Sequence, residues 1–478
     1  MSADLLDWTL VQAASAVANK EVSSEELTEV SLEAAQRWNP AINAFLTINA
    51  EQALLAARSA DSLLSKGEFC GPLHGVPLAH KDLFYHEGEP LTCGSEILKG
   101  YVPSYDATVI QRLHRQGGAV DIGRLNMAEI AMGAAGRNEH FGHCRNPWNT
   151  ARITGGSSSG SGAAVAARNV YGALGTDTGG SIRIPSTVCG RVGLKGTYGR
   201  VSRYGVMPLS YSLDHPGPMV RTVRDCARMF AVIAGYDPMD PSTSREPVPD
   251  YESLLDRFDA KGLRIGVPRS YFYDEVDPSV NSAVESSLKV FRELGATIVE
   301  VDVPDQLVLR DMTNLVLKAE VANIHSQWLQ RRGASYSAEV RARIESGLYI
   351  PAVDYLRALR LRGTHARSFV KIVFDNCDVL HTPTLPIETP MIAEIDSAVD
   401  KDALWINEKL AWCTRTINYL GLPALTIPCG FSDNNLPVGF QLVGRPFSED
   451  LLLQAGHAYQ RHTDWHIQSP TLSDDLAM

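Results

Sequence analysis

Gly155-Gly156-Ser157-Ser158-Ser159-Gly160-Ser161-Gly162-Ala163-Ala164-Val165-Ala166-Ala167 opens a segment, 152–200, that is dense in Gly, Ser and Thr. Composition alone would make this a flexible linker. A linker would not carry the strong helix formers Ala163 to Ala167, nor the apolar positions Val188, Val192 and Leu194. The segment therefore reads as packed core, with glycines where backbones approach closely. On its N-terminal side, Ser23 and Ser24 precede Glu25 and Glu26 as a helix start, and 53–64 is a second helix. A strand over 72–79 leads into Lys81 and Asp82, followed by a helix over 109–116 and a strand over 119–123. On its C-terminal side come a helix over 225–234, a strand over 263–267 and a helix over 279–294. An Arg-rich helical region, 339–373, is interrupted near Gly347 and Pro351, and strands over 379–382, 424–428 and 438–443 close the pattern. Alternating helix and strand predicts an α/β layer fold. The arginines of 339–373 read as a solvated helix face.

The 478 residues allow one large domain or about three. With 44% apolar and 21% charged residues, a sizeable core is available. Forty-four basic residues against 55 acidic ones give −11, with no contiguous Lys/Arg run, so the expectation is no nucleic-acid partner. No stretch of about 18 apolar residues appears, so no membrane association is expected. Asp4 and Asp7 near the N-terminus do not suit a secretory signal. Eight cysteines without a CxxC pair suggest neither a zinc ribbon nor a disulfide framework, and point to a reduced cytoplasmic setting.

Three patterns compete for the chemistry. Gly156 to Gly160 fits the G-x-S-x-G nucleophile elbow, but the preceding stretch, with Pro147, Asn149 and Arg152, does not read as the strand that motif needs. His74, His80, His86, His140 and His143 form no H-E-x-x-H, and satisfied histidines account for them better than a metal does. The third pattern is Thr176-Asp177-Thr178-Gly179-Gly180-Ser181-Ile182-Arg183, a turn that can aim several backbone N–H groups at an oxyanion while delivering a serine. That serine needs a base. Lys81, behind an apolar strand, suits the role because burial lowers an amine's pKa, and Ser157 can bridge the two.

Together, Gly75-Val76-Pro77-Leu78-Ala79-His80-Lys81-Asp82, Gly155 to Ser161 and Gly175 to Pro185 resemble the amidase signature family. The resemblance runs on through Gly190 to Tyr204, Leu213 to Pro218, Gly421 to Ala424, Leu436 to Gln441 and Thr463 to His466, nearly the whole chain. It implies a single α/β domain over 1–478 with a mixed central β-sheet flanked by helices. Within it, 1–70 would be an N-terminal helical part and 71–220 the catalytic signature core. Residues 221–375 would be a variable, mostly helical substrate-side region, and 376–478 the strands and helix that complete the sheet. It implies Ser181 as nucleophile, a cis-peptide Ser157 as bridge, Lys81 as base, and an oxyanion hole from the backbone N–H groups of Thr178, Gly179, Gly180 and Ser181. No cofactor and no metal are implied, and at most a homodimer.

Ser159 stands where the family's second block has glycine, and Ser158 and Ser159 are expected to cap the following helix. His80 replaces a small or apolar residue; if protonated beside Lys81 it would depress the lysine further. Asp177 and Arg183 are expected to brace the turn rather than touch substrate. The resemblance leaves three functions. A free-standing amidase acting on a small amide, anilide or carbamate is preferred. The A subunit of a glutamyl-tRNA amidotransferase, releasing ammonia from glutamine, is the alternative, and a G-x-S-x-G esterase is more distant. The preference rests on Leu410-Ala411-Trp412-Cys413, which lacks the acidic residue that the amidotransferase presents to the glutamine ammonium, and on 327–345, which lacks its Arg-Tyr-Asp-Gly-type segment. Met132, Tyr349, Ile350 and Trp412 are the implied pocket walls for the small-molecule amide substrate.

Overall fold

Eleven strands form one mixed sheet in this computed structural model, which describes residues 2–395 and 401–472. The strands are β1 (Phe45–Ile48), β2 (Pro77–Lys81), β3 (Val120–Leu125), β4 (Gly172–Thr176), β5 (Val192–Lys195), β6 (Pro216–Val220), β7 (Arg264–Pro268), β8 (Thr297–Val301), β9 (Val379–Pro383), β10 (Ala424–Phe431) and β11 (Pro437–Val443). They lie in the order β1-β3-β2-β4-β6-β5-β10-β11-β9-β7-β8. β3, β2 and β4 run parallel, as do β9, β7 and β8, and the strands between them pair antiparallel. The central strands β2, β4, β5, β6, β9 and β11 are buried along their whole length, as expected where helices cover both faces.

The first long helix, Ser24–Ile42, begins where the sequence placed it. Ser23 accepts from the Glu26 N–H, and the Glu26 side chain returns to the Ser23 N–H. The helix ends on Asn43 in the left-handed region. The expected strand over 72–79 is shorter and displaced: 71–75 form a turn, and pairing begins at Pro77. Lys81 is thus the last strand residue rather than the residue after it. The Gly/Ser segment is packed core. The helix Ser159–Ala166 is buried on every residue, and a Cβ on Gly160 would sit 2.4 Å from the Ala44 carbonyl oxygen. A short hairpin, 145–146 with 149–153, precedes it and stands outside the main sheet, so the strand-to-helix elbow of a hydrolase sheet is not formed. The interrupted helical region is the pair Ala338–Gly347 and Ala352–Phe374, packed on the helix Gln306–Arg332. No described helix is long and apolar enough to cross a membrane. The eight cysteines are all free.

Candidate active site

β2 ends at the centre of the parallel half of the sheet, between β3 and β4. Successive residues of a strand face opposite sides. Lys81 therefore leaves on the face that meets the serine block, and His80 on the other. Lys81 is fully buried, and its Nζ lies 2.7 Å from Ser157 Oγ and 2.9 Å from Thr176 Oγ1. Burial pushes its pKa down to about 7, with Cys93, Asp214 and Asp177 pulling the other way. Near neutral pH a large fraction of this amine is unprotonated, which a surface lysine cannot offer.

The Gly156–Ser157 peptide is cis. Gly156 N–H donates to the Ala134 carbonyl at 2.6 Å, and Ala128 N–H donates to the Ser157 carbonyl at 3.0 Å. A Cβ on Gly156 would meet Gly133 O at 2.4 Å and Gly136 N at 2.5 Å, so only glycine fits. Ser158 does not cap the helix. Its hydroxyl instead bridges to the Thr176 N–H and carbonyl, both at 3.3 Å, and Ser161 Oγ donates to Leu174 O at 2.9 Å. Ser159 likewise donates to Asn126 O at 3.4 Å. The expected caps are therefore cross-links between the serine block, β4 and the neighbouring loop. A buried helix start gains more from satisfying strand and loop groups than from a local cap.

The turn after β4 is held from inside by Asp177. Its carboxylate accepts from the backbone N–H groups of Gly180 (2.8 Å), Ile182 (3.2 Å) and Arg183 (3.4 Å), and from Arg183 Nε and Nη2 at 3.0 Å each. Burial works against its ionisation, but Arg183, Lys195 and Asn418 hold the carboxyl well below the usual range. Arg183 is wholly buried and also reaches Gln441 Oε1 (2.9 Å), Thr414 O (3.0 Å) and Asn418 Oδ1 (2.7 Å). It braces the turn, as expected. One expectation is corrected here: the Gly180 N–H donates to Asp177 Oδ1 at 2.8 Å and is not free for an oxyanion. Among the described residues, the N–H groups of Thr178, Gly179 and Ser181 have no internal partner, and Ser181 and Gly179 are the turn residues left half-accessible. Thr178 is fixed by its hydroxyl donating to Asp214 at 2.6 Å.

His80 is also corrected. It is buried against His114 at 3.0 Å, and burial pushes its pKa down to about 3. It is neutral at physiological pH, so it adds no charge to depress Lys81. Of the expected pocket walls, Met132 lines a cavity of about 420 Å³ together with Ala134, Asn314, Arg343, Glu408 and Arg415. Trp412 does not line it. It stacks on Tyr271 with ring centroids 4.6 Å apart and faces a separate cavity beside Lys409. Tyr349 is 85% exposed, and neither it nor the half-buried Ile350 reaches the cavity. The helix Ala352–Phe374 begins just after them, with Pro351 as its N-cap. The walls are mostly polar and cationic rather than aromatic. Thr176, Thr414, Asn418 and Arg415 were not singled out as site residues from sequence. Thr176 opens the quoted turn block, and the other three lie close before the quoted Gly421 to Ala424.

A family model described as Amidase matches residues 26–453. The chain belongs to the amidase family. It is similar to the A subunit of the Chloroflexus aggregans glutamyl-tRNA(Gln) amidotransferase, 44% identical over 97% of this chain and 98% of that one. Among solved structures it resembles a chain from a complex that bears on the origins of an s-triazine catabolic enzyme, with TM-score 0.89 and 33% identity over 97% of this chain and 100% of that one. It also resembles the A subunit of the Thermotoga maritima glutamyl-tRNA(Gln) amidotransferase, with TM-score 0.80 and 31% identity over 96% of both chains. These relatives correct the expectation of no nucleic-acid partner. Their name makes them one component of an enzyme acting on a charged tRNA, and the net charge of a single component does not govern what its assembly binds.

Proposed function

We propose that this chain hydrolyses a linear amide C–N bond through an acyl-enzyme on Ser181, with Lys81 and Ser157 relaying the proton. The buried 2.7 Å contact between Lys81 and Ser157 is the observation that carries this reading. Neutral Lys81 takes the Ser157 proton as Ser157 takes that of Ser181, and Ser181 Oγ bonds to the amide carbon. The developing oxyanion is met by the N–H groups of Thr178, Gly179 and Ser181, held rigid by Asp177 and therefore needing no reorganisation. The C–N bond breaks as the leaving amine takes a proton back through Ser157. Water then attacks the ester, gives its proton to the relay, and releases the acid and Ser181.

The names of the relatives favour glutamine as the amide and an amidotransferase assembly as the setting. One observation favours a free-standing amidase instead. Ala411 and Cys413 are buried and Trp412 is stacked away, so this stretch presents no carboxylate to an amino-acid ammonium. Ammonia release from glutamine, measured on the purified chain alone and on the complex it forms in its own cells, separates the two. Release confined to the complex selects the amidotransferase. Absence of release from glutamine in both, with turnover of other amides by the chain alone, selects the free-standing enzyme.

A further inference from the structure

Leu213-Asp214-His215-Pro216-Gly217-Pro218 is a block that the proposed relay leaves unused. β4 and β6 pair antiparallel, with Thr176 opposite Pro216. The ladder continues past both strand ends, because Asp177 and His215 exchange backbone hydrogen bonds at 2.8 and 3.1 Å. The next facing pair is Thr178 and Asp214. A facing pair that makes no ladder bonds brings its side chains close. Here the Thr178 hydroxyl donates to Asp214 Oδ1 at 2.6 Å.

Asp214 is only 6% exposed, and its Oδ2 accepts from the N–H groups of Leu209 (2.9 Å) and Ser210 (3.0 Å). Among the described residues no cation forms an ion pair with it, so three neutral donors hold a buried carboxylate. Burial raises its pKa, and these donors and the more distant Arg203 oppose the rise. The loop that supplies two of the donors is itself anchored. Glu320, buried on the helix Gln306–Arg332, accepts from the Ser210 hydroxyl, from Ser212 N–H (2.9 Å) and Oγ (2.5 Å), and from the Tyr355 hydroxyl (2.9 Å). Asp214 is therefore a fixed point, not a side chain that follows the turn.

The turn after β4 is thus held at both ends. Asp177 takes the N–H groups of Gly180, Ile182 and Arg183, and Asp214 holds Thr178. Together they fix the backbone that carries the free N–H groups of Thr178, Gly179 and Ser181. We infer that Asp214 is a positioning residue for the reaction, fixing the N-terminal arm of the oxyanion turn through the Thr178 hydroxyl. This brace rests on the reading of Ser181 as nucleophile and of the turn as its oxyanion site. The same carboxylate acts on Lys81 through space: Cys93, Asp214 and Asp177 raise the lysine pKa against the larger effect of burial. Loss of the bond and loss of the charge therefore have separate signatures. The first slows the reaction at every pH, and the second lowers the lysine midpoint.

The test is the rate of fluorophosphonate labelling from pH 5 to 9.5 in the wild type, Asp214→Asn, Thr178→Val, Thr178→Ser and the Asp214→Asn/Thr178→Val double variant. A wild-type adduct elsewhere than on Ser181 would overturn the nucleophile reading and the brace with it. With Ser181 labelled, the variants judge the brace alone. On the high-pH plateau each of Asp214→Asn and Thr178→Val should be slower by roughly ten- to a hundredfold, at or below the cost of about 10²–10³ for deleting an oxyanion donor outright. The double variant should be no slower than the slower single one, because both remove the same bond. Thr178→Ser keeps the hydroxyl and should recover most of what Thr178→Val loses. The acid limb should move to lower pH in Asp214→Asn, where a negative charge near Lys81 is gone, and stay in place in Thr178→Val. Wild-type plateau rates in both single variants, additive losses in the double variant, or an unmoved limb in Asp214→Asn would each overturn the inference. If Asp214→Asn does not fold, the Thr178 pair decides: a slowed plateau that serine restores supports the brace, and any other pattern overturns it.

Discussion

In the proposed relay the buried lysine sets the pH dependence of Ser181. Lys81 titrates at about 7 because it is enclosed by β2, β4 and the serine block. Only its neutral form could accept a proton from Ser157 as the proposal requires. The second-order rate of Ser181 phosphonylation should therefore be flat above about pH 8 and fall with unit slope below 7. At one unit below the midpoint roughly a tenth of the lysine is neutral, and at two units roughly a hundredth. Rates measured from pH 5 to 9.5 with one fluorophosphonate need no knowledge of the natural substrate. His80→Asn should leave the midpoint in place, because the His80 ring is already neutral across this range, with its pKa held at about 3. Lys81→Met should remove a general base, a loss of about 10²–10⁴ in rate. A limb near pH 4–5 would point to a carboxylate base. A rate still climbing at pH 9.5 would mean an unperturbed lysine. Either result refutes the argument from burial.

Asp177→Asn leaves the buried Arg183 without its counter-charge and frees the turn, so a loss of about 3–5 kcal/mol in denaturant unfolding and slower Ser181 labelling are expected; unchanged stability would contradict the bracing role. Gly156→Ala places a Cβ within 2.6 Å of three backbone atoms of Gly133 and Gly136, and should lose about 1–3 kcal/mol or more together with labelling, as read by thermal melting and mass spectrometry. Wild-type labelling in that variant would show the loop to be free to move. His80 and His381 are both held at about 3 by burial, below their value of about 6.5 in the unfolded chain. Their stabilising effect is complete above pH 6.5 and is lost as pH falls toward 3, partly offset by Asp82, which burial raises to about 6. Unfolding free energy should drop by at least about 1.4 kcal/mol per unit from pH 6.5 to 5, and a flat profile would show that these histidines are accessible in the native state.

Which parts of this were legible in the sequence follows from how local their causes are. The helix at Ser24 was readable because Ser23 and Glu26 cap it from within four residues. Lys81, Ser157 and Ser181 are all carried by motif blocks, and the structure brings the first two together at 2.7 Å. That the Gly180 N–H is taken by Asp177 could not be read from sequence, because the bond depends on how the turn closes. Ser158 and Ser159 look like helix caps in any local view, and only their contacts with Thr176 and Asn126 show otherwise. Trp412, expected as a pocket wall, is turned away by stacking on Tyr271, 141 residues earlier in the chain. Arg415 escaped notice for the same reason, since its neighbours Gly179 and Asn314 are remote in sequence. Long-range contacts decide orientation, and orientation separates a pocket residue from a core one.

The central claim is that Ser181 forms the covalent acyl-enzyme. Intact-protein and peptide mass spectrometry after brief acid quench with an activated amide, or after fluorophosphonate treatment, tests it directly. The account predicts one adduct per chain, on the peptide containing Ser181, absent from Ser181→Ala and strongly slowed in Lys81→Met. An adduct on Ser157 or Ser158, or undiminished turnover by Ser181→Ala, would contradict it.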